Sequence, residues 1–251
     1  MALLRAAQNR WARFWALAAV AGMVVTASLV FTPAASAAPA DTGCPPNGGH
    51  CYSVGLLYRN DFTGIYGHWH NNNMYLDNYS GAQHINSEMW LSVGSTAWVE
   101  TGLTNADTSS DPNPCGCTAY QVFWDDVSAS GNYYAHFIAN TVPDGTDHWY
   151  MIVRGTSANQ WNVYYDGYLQ GVSTVTGAWT GTRQAIGGEL STNSMSNAHM
   201  DWFQMTAEFR DGAGNWYTSN GGASNPTDRV DPGFTGYWAG TNNSDWVWWK
   251  N

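Results

Sequence analysis

Lysine is almost absent: Lys250 is the only one in 251 residues, and charged residues of every kind make up 11% of the chain. Such a chain has no basic patch with which to hold phosphates, which excludes nucleic acid and anionic lipid as partners. Long apolar runs are also missing once the first 37 residues are set aside. Those residues read as an export signal, with Arg5, Arg10 and Arg13 as the basic region, ALAAVAGMVV as the apolar run and Ala35-Ser36-Ala37 as the cleavage site. No later run is long enough to span a bilayer, so a secreted chain without a membrane anchor is expected. Loss of the signal removes three of the nine basic residues and leaves six against 19 acidic ones, a formal charge of −13. Neutral polysaccharides, ordinary peptides and divalent cations fit that balance.

Cysteine is scarce too. The four, Cys44, Cys51, Cys115 and Cys117, all lie in the exported part, where an even number suggests two disulfides and three possible connectivities. Cys44 and Cys51 bracket the turn-rich PPNGGH, so closing that loop is easy. The expectation is Cys44–Cys51 with Cys115–Cys117, the latter a small strained ring. A zinc site built from His50 and these thiols lacks paired C-x-x-C spacing, and neither a metal nor a cofactor is expected. G-x-S-x-G, H-E-x-x-H and P-loop signatures are absent.

Helix-favouring runs are few; Gly, Asn, Ser, Thr, Tyr and Trp dominate, as in extracellular all-β proteins. Period-two segments recur: 53–59, 88–93, 97–104, 118–127, 132–139, 148–155, 160–167, 168–174, 183–192 and 199–210. Turn chemistry separates them, and Asp166-Gly167 is the strongest hairpin signal. Ten or more short strands predict an all-β fold of two packed antiparallel sheets. One domain over residues 38–251 and a monomer are expected. Residues 38–86 are read as integral to it, with a propeptide or N-terminal extension as the alternative. WVWWK at 246–250 is expected to dock as an edge strand.

Alternation then places side chains. In AWVETGLT, Trp98, Glu100 and Gly102 share one face; in QAIGGELS, Ala185, Gly187 and Glu189 do. Each strand keeps an apolar face for the core and offers one glutamate on the other. Asp125 and Asp126 alternate faces, and one of them is expected to cap a hairpin. His68 and His70 share a strand face without an identifiable third ligand and are read as satisfied or exposed histidines.

WVETGL (98–103), then YQVFWDDVSASGNYYAHF (120–137), WNVYYDGYLQG (161–171) and AIGGEL (185–190), resembles the order of motifs in glutamic peptidases, particularly those of neprosin type. Ile186 and Leu103 stand where that pattern has tryptophans. The resemblance implies a concanavalin A-like jelly-roll sandwich. It also implies an acid-acting endopeptidase with Glu100 and Glu189 as the catalytic pair and an extended peptide as substrate. Trp98, Gly102, Trp124, Gly187 and Gly188 would line the substrate groove. Two adjacent carboxyls share a proton at acid pH: the ionised one activates a water, and the protonated one polarises the scissile carbonyl. The alternative is a sandwich whose aromatic groove binds or acts on a neutral polysaccharide.

Overall fold

The computed structural model describes residues 49–77, 83–106, 120–142, 145–192, 194–219, 226–240 and 243–250. The expected export signal, Cys44, Cys115, Cys117 and the disulfide pairing lie outside these residues. Cys51 is buried at the start of the first strand.

Apart from a single 3₁₀ turn at Met195–Asn197, the described elements are all strands, arranged in two antiparallel sheets as expected. The first sheet has seven. In spatial order they are β14 (Thr227–Val230), β1 (His50–Phe62), β11 (Gly181–Ser191), β4 (His84–Val93), β5 (Ala97–Ala106), β6 (Tyr120–Val127) and β7 (Tyr133–Asn140). The second runs β10 (Tyr168–Ser173), β9 (Trp161–Tyr165), β8 (Asp147–Arg154), β2 (Gly64–His70), β12 (Ala198–Arg210), β16 (Asp245–Lys250) and β15 (Phe234–Ala239). Its two remaining strands, β3 (Met74–Leu76) and β13 (Trp216–Thr218), also pair with β12. Residues 50–76 thus supply β1, β2 and β3, with β1 paired on both sides.

The core follows from alternation. Leu57, Met89, Val99, Leu103, Val122, Ile186 and Leu190 of the first sheet meet Ile65, Trp69, Ile152, Phe203, Met205, Trp246 and Trp248 of the second. The turn at Asp166-Gly167 forms as its sequence indicates. Both residues have positive φ, 49° and 81°, and join Tyr165 directly to Tyr168, the combination a tight two-residue hairpin requires. The expectation for 246–250 needs correction. β16 lies between β12 and β15, and β15 takes the edge. Trp246 and Trp248 are fully buried, so this aromatic segment is interior because the core needs its indoles.

The Gly187-Gly188 pair is explained by packing against the other sheet. Gly188 points inward, where a Cβ would run into the Trp248 ring. Gly187 has φ +148°, a conformation open essentially to glycine, and an added Cβ would meet Ser53 and Trp246.

Candidate active site

The outer face of the seven-stranded sheet is a groove of about 680 Å³. Even-numbered residues of β1, β4 and β5 and odd-numbered residues of β11, β6 and β7 supply its lining, as strand alternation requires. Val54, Trp90 and Ala185, with Tyr52, Leu56 and Trp98 against them, form a small apolar cluster here, separate from the main core. Phe123 and Tyr133 continue the aromatic lining.

Three carboxylates stand here on three successive strands, Glu100 and Asp125 in the lining and Glu88 enclosed beneath it. Glu88 on β4 is opposite Gly102 of β5 on one side and Gly187 of β11 on the other. An added Cβ on Gly102 would collide with Glu88, so that glycine makes room for the acid. Glu100 is opposite Trp90 of β4 and Asp125 of β6. Glu88 and Glu100 are therefore diagonal neighbours, with backbones about 7–8 Å apart. Asp125 accepts hydrogen bonds from the Tyr133 hydroxyl and, at 3.1 Å, from the His136 backbone N–H. It thus ties β6 to β7 across their hairpin, the nearest counterpart to the expected cap.

Burial dominates the electrostatics. The Glu88 side chain is fully enclosed, Glu100 is 8% exposed and Asp125 4%. Burial, then the charges of Glu100 and Asp125, push the Glu88 carboxyl well above the ordinary range, against a hydrogen bond from Asn86 Nδ2 at 3.2 Å. Glu100 is raised for the same reasons, burial first and Asp125 second. The indoles of Trp98 and Trp90 favour its ionised form. Trp98 Nε1 does not reach ordinary hydrogen-bond geometry, so burial and like charge outweigh that support. Glu88 Oε1 is buried without a partner, an expensive state for a charged oxygen and a tolerable one for a protonated carboxyl. Tyr52, pushed up to about 12 by burial and then by Glu88 and Glu100, stays a neutral phenol. Tyr133 is also raised, by burial and Asp125.

Glu189 lies in the same groove, as alternation indicates, but not beside Glu100. Its cross-strand neighbours are Tyr52 and Asn86, and Asn86 in turn faces Thr104. Glu100 is thus two strands and four residues away, roughly 16 Å at spacings of about 4.8 Å and 3.3 Å. The expected Glu100–Glu189 dyad is not assembled by this register. Glu189 instead contacts His50 Nδ1 and lies 3.5 Å from His84 Nε2.

The remaining expected groove residues divide. Trp98 and Gly102 are on the groove face, and Gly187 borders Glu88. Gly188 and Trp124 face the interior. Trp124 belongs to the main core and stacks on His136 with ring centroids 3.7 Å apart, while His136 Nε2 lies 3.1 Å from Asp126. Phe123 takes the groove position that Trp124 was expected to hold. His68 and His70 both contact Asp147, at 3.2 and 2.6 Å, and are satisfied histidines.

Sequence reasoning missed Glu88. The signal was present: the chain has only four glutamates, and Glu88, Glu100 and Glu189 all point to this one face, leaving Glu208 elsewhere.

No family model matches the chain, and no curated protein matches its sequence. Solved structures do match in fold. Scytalido-glutamic peptidase bound to a transition state analog inhibitor superposes with a TM-score of 0.54 at 10% identity, covering 82% of this chain and 100% of that one. SCP-B, a member of the eqolisin family of peptidases in complex with the tripeptide Ala-Ile-His, gives 0.50 at 11% identity over the same shares. A Bacillus licheniformis beta-glucanase gives 0.34 at 12% identity over 77% of this chain and 68% of that one, too loose a likeness to carry an argument. At such identities the two peptidases share the sandwich fold with this chain, and the chemistry has to be argued from its own residues. Among the described residues no helix is long and apolar enough to cross a membrane.

Proposed function

We propose that this chain is an exported, monomeric, acid-acting endopeptidase of glutamic type in which Glu88 and Glu100 form the catalytic pair. The observation that carries the reading is the diagonal juxtaposition of these two buried carboxyls under an aromatic groove, both pushed well above the ordinary range. Glu100, which lines the groove and has two indoles beside it, is the member suited to ionise. In that form it takes a proton from a water molecule and directs the resulting nucleophile at the scissile carbonyl carbon. Glu88, enclosed and with one oxygen unpartnered, is the member suited to hold the proton. It donates that proton toward the carbonyl oxygen as charge develops there. As the C–N bond breaks, the proton taken by Glu100 passes to the leaving amine and a hydroxyl of the tetrahedral intermediate returns its proton to Glu88, restoring the starting state. Asp125 keeps the cluster's proton affinity high through its charge. Tyr52, Trp90, Trp98 and Phe123 offer an extended peptide apolar area and hydrogen-bond donors. That SCP-B, a peptidase of similar fold, is in complex with the tripeptide Ala-Ile-His supports a peptide as the ligand.

The test is digestion of an unfolded protein substrate across pH. Cleavage is expected to peak on the acid side of neutrality but above the ordinary carboxyl range, where the raised pair holds one proton between its two titration steps. Glu88→Gln or Glu100→Gln should each lower the rate by about 10²- to 10⁴-fold. Undiminished cleavage by folded Glu100→Gln protein overturns the assignment. If the same groove served a neutral glycan, β-glucan release would replace proteolysis and Trp98→Ala would weaken glycan retention through lost stacking.

A further inference from the structure

The far end of the groove holds a different chemistry. His50 on β1 and His84 on β4 flank β11 in one cross-strand row, each opposite Ser191. Glu189, two residues before Ser191 on β11, points to the same face and reaches between the two rings. The imidazoles meet edge to face with centroids 5.2 Å apart. His50 Nδ1, His84 Nε2 and a Glu189 carboxylate oxygen all lie within 4.8 Å of one another. We propose that these three atoms bind a divalent transition metal of the zinc class.

Geometry and donor type both support this. Donors placed tetrahedrally at about 2.1 Å from zinc are about 3.4 Å from one another; His84 Nε2 and Glu189 Oε1 are 3.5 Å apart. The Glu189 side chain is 9% exposed, His84 21% and His50 44%. Two ligands are thus held by the sheet, while the third can swing outward to open its contact with Glu189 to the donor–donor spacing of a tetrahedral site. Two imidazoles and a carboxylate favour zinc, nickel or copper over calcium and magnesium, which take oxygen donors. Three protein ligands leave at least one position for water or for a carboxylate entering the groove. Asn86, the register partner of Glu189, donates from Nδ2 to Glu88 Oε2 at 3.2 Å, so the residue opposite the metal ligand hydrogen-bonds into the acid end. The net negative chain attracts cations in general; the paired imidazoles supply the selectivity.

Metal binding is measured without substrate, so its outcome is independent of the peptidase reading. The purified protein is stripped with chelator and titrated with Zn²⁺ by calorimetry, and with Co²⁺ by visible absorption. About one ion per chain is expected, with ligand-field bands from cobalt. His84→Ala and Glu189→Gln should each weaken zinc binding at least about tenfold, while His68→Ala/His70→Ala retains it. Circular dichroism confirms folding. If His84→Ala does not fold, His50→Ala, an exposed position, serves in its place. Absence of binding overturns the proposal, as does binding that survives in His50→Ala/His84→Ala. So does equal affinity for Ca²⁺ and Zn²⁺, which would mark a merely acidic surface.

Discussion

At one end of the groove Glu88, Glu100 and Asp125 stand together on three successive strands; at the other, Glu189 stands between His50 and His84. Only β4 is common to both ends; the residue type is the same, and Glu100 and Glu189 are roughly 16 Å apart by register, with Glu88 a diagonal neighbour of each. What differs is the cross-strand neighbour. Glycines opposite Glu88 sink it into the sheet beside other acids, where burial and like charge hold protons on the pair. Imidazoles within reach of Glu189 give a buried carboxylate the neighbours on which the proposed metal site rests. Register, more than residue identity, divides the proposed acid–base pair from the proposed ligand set in this groove.

The largest expected effect separates the ends directly. Glu88→Gln and Glu100→Gln should each cost about 10² to 10⁴ in cleavage rate at acid pH. The double variant should be hardly worse than either single, because the pair acts as one unit. Glu189→Gln should cost less than about tenfold in rate, a loss of positioning and not of the proton-transfer pair. Cleavage assays on the four proteins decide between this pair and a Glu100–Glu189 pair, for which Glu189→Gln would be as damaging as Glu100→Gln.

A smaller effect concerns the glycines. Gly188→Ala forces a methyl group into the Trp248 ring of the facing sheet, and such overpacking costs about 1–3 kcal/mol. Denaturant midpoints should show the loss with little change in slope. An unaffected midpoint would mean that Gly188 is not held against Trp248.

The smallest is a pH effect on stability. The folded-state pKa values of Glu88 and Glu100 lie above the unfolded reference of 4.5. Above that pH the folded protein keeps protons that the unfolded chain has released, so this pair's contribution to stability falls as pH rises. Glu88→Gln removes the burden: its melting temperature should exceed the wild type's at pH 7, by about 2–4 °C for each kcal/mol recovered, and match it near pH 4. A lower melting temperature at both pH values would show that the carboxylate is stabilising.

Much of this arrangement was legible in the sequence. Period-two patterning located β1 and β4 to β12 and put Glu100 and Glu189 on one outer face, and Asp166-Gly167 gave its hairpin. Strand neighbours were not legible, because β11 reaches β4 and β1 across more than ninety residues. Without that pairing nothing showed that β4 separates β11 from β5, or that Glu88 lies next to Glu100. Trp124 was misplaced because β6 has large apolar residues on both faces, Phe123 outward and Val122 and Trp124 inward, so alternation could not orient it. Gly188 was expected to line the substrate groove, whereas its close neighbour is the protein's own Trp248.

The shared proton of Glu88 and Glu100 is the central claim, and NMR titration of their side-chain carboxyl carbons tests it most directly. In the wild-type protein Glu88 should titrate well above the ordinary carboxyl range, and Glu100→Gln, by removing a neighbouring charge, should bring its pKa down. A Glu88 carboxyl that titrates in the ordinary range, or one that does not move when Glu100 is neutralised, would contradict the account.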